Sequence, residues 1–266
     1  MLVLLPPSEG KAPAPKRGRT LDLDDLSFPE LTGTRSAVLA ALVDLASGPR
    51  EAALDALCLT AGQSTEVDRD VVLFEAPTAT AEQLYIGVLY QSLDLATLSP
   101  AARRRARSRV VVSSAAFGAV RLADRLPTYR LSISARIPGL PTLASLWRPG
   151  LASVLPEAAG KRGLVLDLRS GSYAAAWRPT GPLHKRTVTV RVLQEARPGD
   201  PTSRSIVSHA NKSTKGHVLR ALLEDGSEPA SAVALTELLS GLGFQVEGPH
   251  PTRGGSSEID VVVDAP

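Results

Sequence analysis

The chain begins MLVLLPPSEGK, from Met1 to Lys11. The run Leu2 to Leu5 predicts a strand, and the prolines, Ser8, Gly10 and Lys11 after it predict a loop with the look of a phosphate cradle. Lys11 then either meets a phosphate or is a solvated charge at the end of an edge strand. A nucleoside-triphosphatase loop is excluded, because that motif needs Gly where Leu5 stands and a magnesium-holding hydroxyl where Ala12 stands. What remains is an ammonium presented after a strand, able to meet a phosphate as a point charge.

Outward from that strand, helical apolar spacing marks 35–48, 51–57 and 81–93, and Ser99 with Pro100 opens a polar helix over 99–108. Strands are expected at 109–114, 129–133, 163–170, 187–193 and 205–209, with helices at 142–154 and 172–177 between them. From Thr214 the pattern gives a helix to Asp225, a Gly-Ser-Glu-Pro turn, a helix over 230–243, and strands at 244–247 and 258–264. This alternation predicts one α/β domain over residues 1–266, with a mixed sheet flanked by helices.

Composition narrows the class. The 266 residues are 43% hydrophobic and only 4% aromatic, so the core is expected to be Leu, Val and Ala. The single cysteine, Cys58, excludes an internal disulfide and any Cys-rich zinc site, and its apolar neighbours predict a buried, inert thiol. With four scattered His there is no ligand cluster for iron, and neither a metal nor another cofactor is called for. No apolar stretch reaches the length of a membrane span and no signal sequence precedes the first strand, so the expected place is the cytoplasm.

A net charge of +3 and a pI near 9.2 suit a phosphate-bearing partner. There are 24 Arg but only 6 Lys, so a lysine can mark a point where a compact ammonium is needed. Three clusters stand out. In Ser113 to Ile133, a strand ending in Ser114 is followed by Arg121, Asp124, Arg125, Tyr129 and Arg130, a set able to hold an anion; Arg121 and Asp124 equally suit a surface helical pair. In 208–226, Lys212 and Lys215 lie at the expected start of a helix, a ready anion site. The run RRRARSR, 103–109, fits either a phosphate backbone or a solvated face.

These stretches taken in order resemble the YaaA family of bacterial peroxide stress proteins. The pieces are LVLLPPSEGK, LYIGVLYQSLD (84–94), the Ser113 to Ile133 block, LWRPGLASVL (146–155), LVLDLRSGSY (164–173) and SHANKSTKGHVLRALLEDG (208–226). The resemblance marks Lys11, Ser114, Phe117 with Gly118, Arg121, Asp124, Tyr129, Arg130, Trp147, Ser170, Tyr173, Lys212 and Lys215 with Gly216. Ser172 stands where the family usually has an acid before the Tyr, and the family's Lys-Gly-Asp is replaced around Ala81 to Gln83. The resemblance implies a fold of the family's own kind with a helix-hairpin-helix-like element. It also implies a basic cleft that binds DNA, and a role in peroxide protection and iron homeostasis that limits iron-dependent damage.

Two functions follow. The first is a cytoplasmic protein of the peroxide response that binds duplex or distorted DNA without reading sequence, although Glu224, Asp225 and Glu228 in the expected hairpin turn would repel phosphate. The second is an enzyme acting on a nucleobase, nucleotide or other phosphate-bearing small molecule, since the marked residues mix hydroxyls, phenols and a carboxylate with cations. Ser114, Ser170 and Ser208 at strand ends would converge on one sheet edge, and Lys11, Arg121 and Lys212 are expected to share one pocket there.

Overall fold

All four residues of Leu2–Leu5, strand β1, are buried, and β1 has a parallel neighbour on each side. Lys11 therefore follows an interior strand and not an edge one. In the computed structural model, which describes residues 1–197, 199–206 and 208–264, β1 is followed by α1 (Thr32–Ser47), α2 (Arg50–Ala56) and α3 (Ser64–Val71). The short β2 (Ala79–Thr80) leads into α4 (Ala81–Leu84) and α5 (Val88–Leu93), and α6 (Pro100–Arg109) feeds the hairpin β3 (Val110–Ser114) and β4 (Gly118–Arg121). Next come β5 (Arg125–Leu126), α7 (Leu143–Ala159), β6 (Val165–Asp167), α8 (Gly171–Ala174), α9 (Gly181–Lys185) and β7 (Thr187–Glu195). The chain closes with β8 (Arg204–Ser205), α10 (Ser208–Asp225), α11 (Ala232–Gly241), β9 (Gln245–Pro251) and β10 (Ser257–Asp264).

The eight-stranded sheet runs β4-β3-β1-β6-β7-β10-β9, with β8 beside β7. β3, β1, β6, β7 and β10 are parallel, while β4, β8 and β9 pair antiparallel at the margins. The sheet is thus mixed and α/β, as the alternation predicts. Parallel order has a functional consequence: the carboxyl ends of β1, β3 and β6 share one edge, so the loop 6–11, Ser114 and the segment 168–170 emerge together.

Local departures from the expected elements have physical causes. The helix expected over 81–93 is two helices, because Tyr85 is extended and bridges to Lys11, and a Cβ on Gly87 would stand 2.9 Å from the Ser8 Cβ. Residues 129–133 form no strand; Tyr129 and Leu131 are buried, and the Arg130 amide donates to the Asp70 carboxylate at 2.8 Å instead of to a ladder. The expected strand 205–209 shrinks to β8, and α10 already begins at Ser208; Val207 and the Ser208 side chain lie outside the described residues. Cys58 is exposed and not buried, since α2 ends in a left-handed turn there, at φ 55°. α3 and α9 have too polar a pattern to be read as helices beforehand.

The helical hairpin expected over 214–243 is not seen as a packed unit. α10 packs on α5, α6 and β7, whereas α11 packs on β9 and β10. The turn's acids are also engaged: Glu228 pairs with Arg109 at 2.6 Å and Glu224 accepts the Ser99 amide at 2.9 Å. The seating of α10 on α5 needs a bare backbone at Gly216, where a Cβ would press on the Leu89 carbonyl and lie 2.7 Å from the Ser92 Cβ. Gly216→Ala gains about 1 kcal/mol of helix propensity against an overpacking cost of up to about 3 kcal/mol. A net loss of about 2 kcal/mol in urea unfolding is the expected result; equal or greater stability would show that α10 can slide on α5.

Candidate functional site

At the shared carboxyl edge lies a cleft of about 420 Å³. One wall is the loop Pro6 to Gly10, another is Gly87 to Tyr90 at the start of α5, and a third is Leu168, Ser170, Ser172 and Tyr173 after β6. The first turns of α10 close it with Asn211, Lys212 and Lys215. β6 delivers Ser170 to the N-cap position of α8, where its hydroxyl lies 3.1 Å from that of Ser172. Lys212 is exposed at the lip, while Lys215 sits deeper; burial lowers its ammonium, with Asp167 and Glu258 opposing the shift. The cleft thus presents two ammonium groups, the Glu9 carboxylate, serine hydroxyls and the edge of the Tyr173 ring to one volume.

Behind the loop is a buried layer. Lys11 Nζ donates to the carbonyls of Ser8 and Glu9 at 3.2 and 3.4 Å and lies 4.0 Å from the Tyr129 ring centroid. Tyr129 Oη lies 2.7 Å from Ser114 Oγ and 3.0 Å from Tyr85 Oη, and Ser114 Oγ accepts the Phe117 amide. Tyr90 stacks on Tyr85 and donates to the Pro6 carbonyl at 2.7 Å, which ties the layer to the cleft wall. Arg130 joins the two zones by pairing with Glu9 at 3.2 Å while its amide donates to Asp70.

Burial sets the protonation of this layer. It lowers the Lys11 ammonium to about 8, against the opposing pull of Glu9 and Asp70. It raises the Asp70 carboxyl to about 8, with the Arg130 amide and Lys11 opposing. It pushes Tyr85 up to about 12 and raises Tyr129, Tyr90 and Tyr173 as well, so all four phenols stay neutral. An amine and a carboxyl in one buried layer that feel one another's charge and both titrate near 8 are equipped to hold a proton near neutral pH.

The structure divides the sequence-marked residues into three groups. Ser170, Tyr173, Lys212 and Lys215 line the cleft, and Lys11, Ser114, Tyr129 and Arg130 form the layer behind it. Arg121, Asp124 and Trp147 are elsewhere, so the expected shared pocket of Lys11, Arg121 and Lys212 does not form. Because β4 is antiparallel, it carries Arg121 away from Ser114 to stand opposite Val111, where its guanidinium donates to the Ser108 carbonyl at 2.6 Å. Asp124 accepts from Ser27 Oγ at 2.7 Å and from the Arg121 amide at 2.9 Å, and Trp147 is buried on Gly118 with its indole donating to the Ala115 carbonyl.

The basic run 103–109 is also engaged internally. Arg103 and Arg107 pair with Glu82, Arg105 caps the last carbonyls of α10, and Arg109 holds Glu228, which leaves Arg104 as the exposed member without a described partner. A larger groove of about 970 Å³ lies between α7 and residues 175–186, with Arg148, Lys161, Arg178 and Arg186 on its walls. Arg186 is held by the carbonyls of Ala159, Gly160, Arg162 and Gly163, and none of the sequence-marked residues reach this groove. Sequence reasoning missed Asp70, which sits on the polar α3, and did not single out Tyr85 or Tyr90, although both lie in the stretch 84–94 that carries the resemblance.

Comparison with known proteins matches residues 1–248 to the family described as peroxide stress protein YaaA. A UPF0246 protein of Streptomyces coelicolor is 50% identical over 264 residues, covering 99% of this chain and 98% of its own length. A UPF0246 protein of Corynebacterium efficiens is 39% identical over 251 residues, covering 93% and 95%. A UPF0246 protein of Ruegeria is 30% identical over 175 residues, 64% of this chain and 67% of its own.

Proposed function

We propose, for a chain that belongs to the YaaA peroxide stress protein family, that the cleft binds a compact phosphate-bearing molecule of nucleotide size. The observation that carries this reading is the convergence of Lys212, Lys215, Ser170 and Tyr173 on one volume of about 420 Å³, within the range of small-molecule sites. Phosphate is the chemistry two ammonium groups at the start of a long helix select, because the helix amides add to the field of the lysines. The hydroxyls and phenols suit a sugar and a base, which a bare phosphate grip does not require. The Lys11 and Asp70 pair behind the loop supports proton transfer to or from such a ligand. On this reading the protein acts in the cytoplasm, its one thiol in keeping with a reducing compartment.

The experiment is calorimetric titration with nucleoside monophosphates against wild type, Lys212→Ala and Lys215→Ala. Each lysine substitution is expected to weaken binding about tenfold, the loss of one charge-assisted hydrogen bond. Variants that bind as wild type does would remove the lysines from the site.

Duplex DNA remains the second reading, favoured by the exposure of Lys212 at the lip of an open cleft. Against it stand the internal pairing of the arginine run and the separate packing of α10 and α11. Polarisation of a labelled duplex at about 50 mM salt decides it: binding that weakens steeply with salt and vanishes in Lys212→Ala supports DNA, and none at low salt removes it.

A further inference from the structure

The groove of about 970 Å³ beside α7 is a second cavity, and it shares no lining residue with the cleft. Arg148, Ala152 and Pro156 recur every four residues and so share one face of α7, which forms one wall. The facing wall comes from the segment after α8 and the start of α9, where Trp177 and Leu183 are buried. Trp177 is held in place, because Arg169 Nη2 donates to its carbonyl at 2.9 Å and the Arg169 guanidinium lies 5.6 Å from its ring centroid. Pro156 and Pro182 stiffen the two walls, so the groove is formed before anything binds. Its charge is one-sided: Arg148, Lys161, Arg178 and Arg186 line it, and no Asp or Glu does. Arg186 is spent on the carbonyls that end α7, which masks the negative helix end that would repel an anion. Lys161 and Arg178 are exposed and hold no ion pair among the described residues, unlike Arg103, Arg107 and Arg109.

We propose that this groove binds a small amphipathic organic anion, an acyl or aryl body that carries one acidic group. The apolar body is called for by the lining, since Ala152, Pro156, Ala175, Pro182 and Leu183 offer apolar side chains only. A bare phosphate or sulfate would leave that surface in water. The acidic group is called for by the four cations, which no carboxylate on the groove offsets. A volume of this size lies within the range of small-molecule sites and exceeds what an inorganic anion fills. Exposed cations each contribute modestly, so burial of the apolar body supplies most of the affinity and the cations fix the sign of the ligand. The site is independent of the nucleotide reading of the cleft.

The test is fluorescence titration with anilinonaphthalene sulfonate, an aryl sulfonate that binds exposed apolar surface, followed by displacement. Wild type is expected to bind one equivalent of dye, and decanoate to displace it at a concentration at least tenfold lower than decanol requires. Lys161→Ala and Arg178→Ala are each expected to weaken dye binding about fivefold, the upper range for an exposed ion pair. Arg104→Ala, an exposed cation on α6, should leave it unchanged. Ala152→Phe places a ring in the groove from an exposed position of α7, and is expected to lower dye and decanoate affinity at least tenfold. All four positions are exposed, so the variants are expected to fold as wild type does. No dye binding by wild type, or binding untouched in all three groove variants, would overturn the proposal. So would displacement by decanol as readily as by decanoate, which would make the site merely apolar. Displacement by duplex DNA but not by decanoate would assign the cations to a nucleic-acid backbone and overturn it as well. Each of these outcomes leaves nucleotide binding in the cleft to its own titration.

Discussion

Gly118→Ala is expected to lower stability by about 4 kcal/mol, the sum of two costs that fall on one atom. The residue opens β4 with φ +73°, a left-handed backbone that costs an L side chain roughly 1–2 kcal/mol. The new Cβ would also stand 2.6 Å from Cε3 and 2.7 Å from Cζ3 of Trp147, and overpacking of this kind costs roughly 1–3 kcal/mol. The ring has nowhere to go: Trp147 is 1% exposed, and its indole nitrogen is held by the Ala115 carbonyl at 2.8 Å. Arg35, fully buried, donates to the carbonyls of Phe117 and Ala119 on either side, so the backbone is fixed as well. In thermal unfolding the midpoint should drop on the order of 10 °C for a chain of this length. A drop of less than about 2 °C would mean that indole and backbone move aside. Because Gly118 pairs with Ser114, the strain reaches the buried layer, and variants that still fold should lose ligand affinity too.

What the sequence could reveal of this site follows from the range of each contact. β1, β3 and β6 are short apolar runs with turn signals, so their strand character and the placing of Ser114, Ser170 and the loop before Lys11 at one edge are legible locally. Lys212 and Lys215 are legible as a helix start. Asp70 is not, because nothing in STEVDRDV marks a carboxylate that meets the amide of a residue 60 positions later. Arg121 misleads for a related reason: its neighbours Ser114 and Tyr129 belong to the site, but an antiparallel hairpin between them turns Arg121 to the far end of the strand. The arginine run misleads because its acidic partners, Glu82 and Glu228, lie 21 to 119 residues away on other elements, a pairing that spacing cannot show.

Asp70→Asn is expected to flatten the stability profile between pH 4 and pH 8. In the fold, Asp70 keeps its proton up to about pH 8, whereas in the unfolded chain it loses it near pH 3.8. Between those values the folded state binds the extra proton, so stability falls as pH rises, by about 1.4 kcal/mol per unit. From pH 4 to pH 7 this group alone removes roughly 4 kcal/mol. Lys11 acts with the opposite sign in the next window: it deprotonates near 8 in the fold and near 10.5 when unfolded, so stability recovers as pH rises from 8 to 10.5. Wild type should therefore be least stable near pH 8. Asparagine cannot ionise, and its Oδ1 still accepts the Arg130 amide, so the variant should match wild type near pH 4 and exceed it by roughly 4 kcal/mol at pH 7. Urea midpoints across pH 4 to 9 read this directly, and a variant no more stable than wild type at pH 7 would mean that Asp70 is ionised in the fold. A stability minimum near pH 8 would be the pattern expected of groups kept for chemistry and not for folding. Asp70→Asn thus tests whether the buried pair is a liability that the cleft requires.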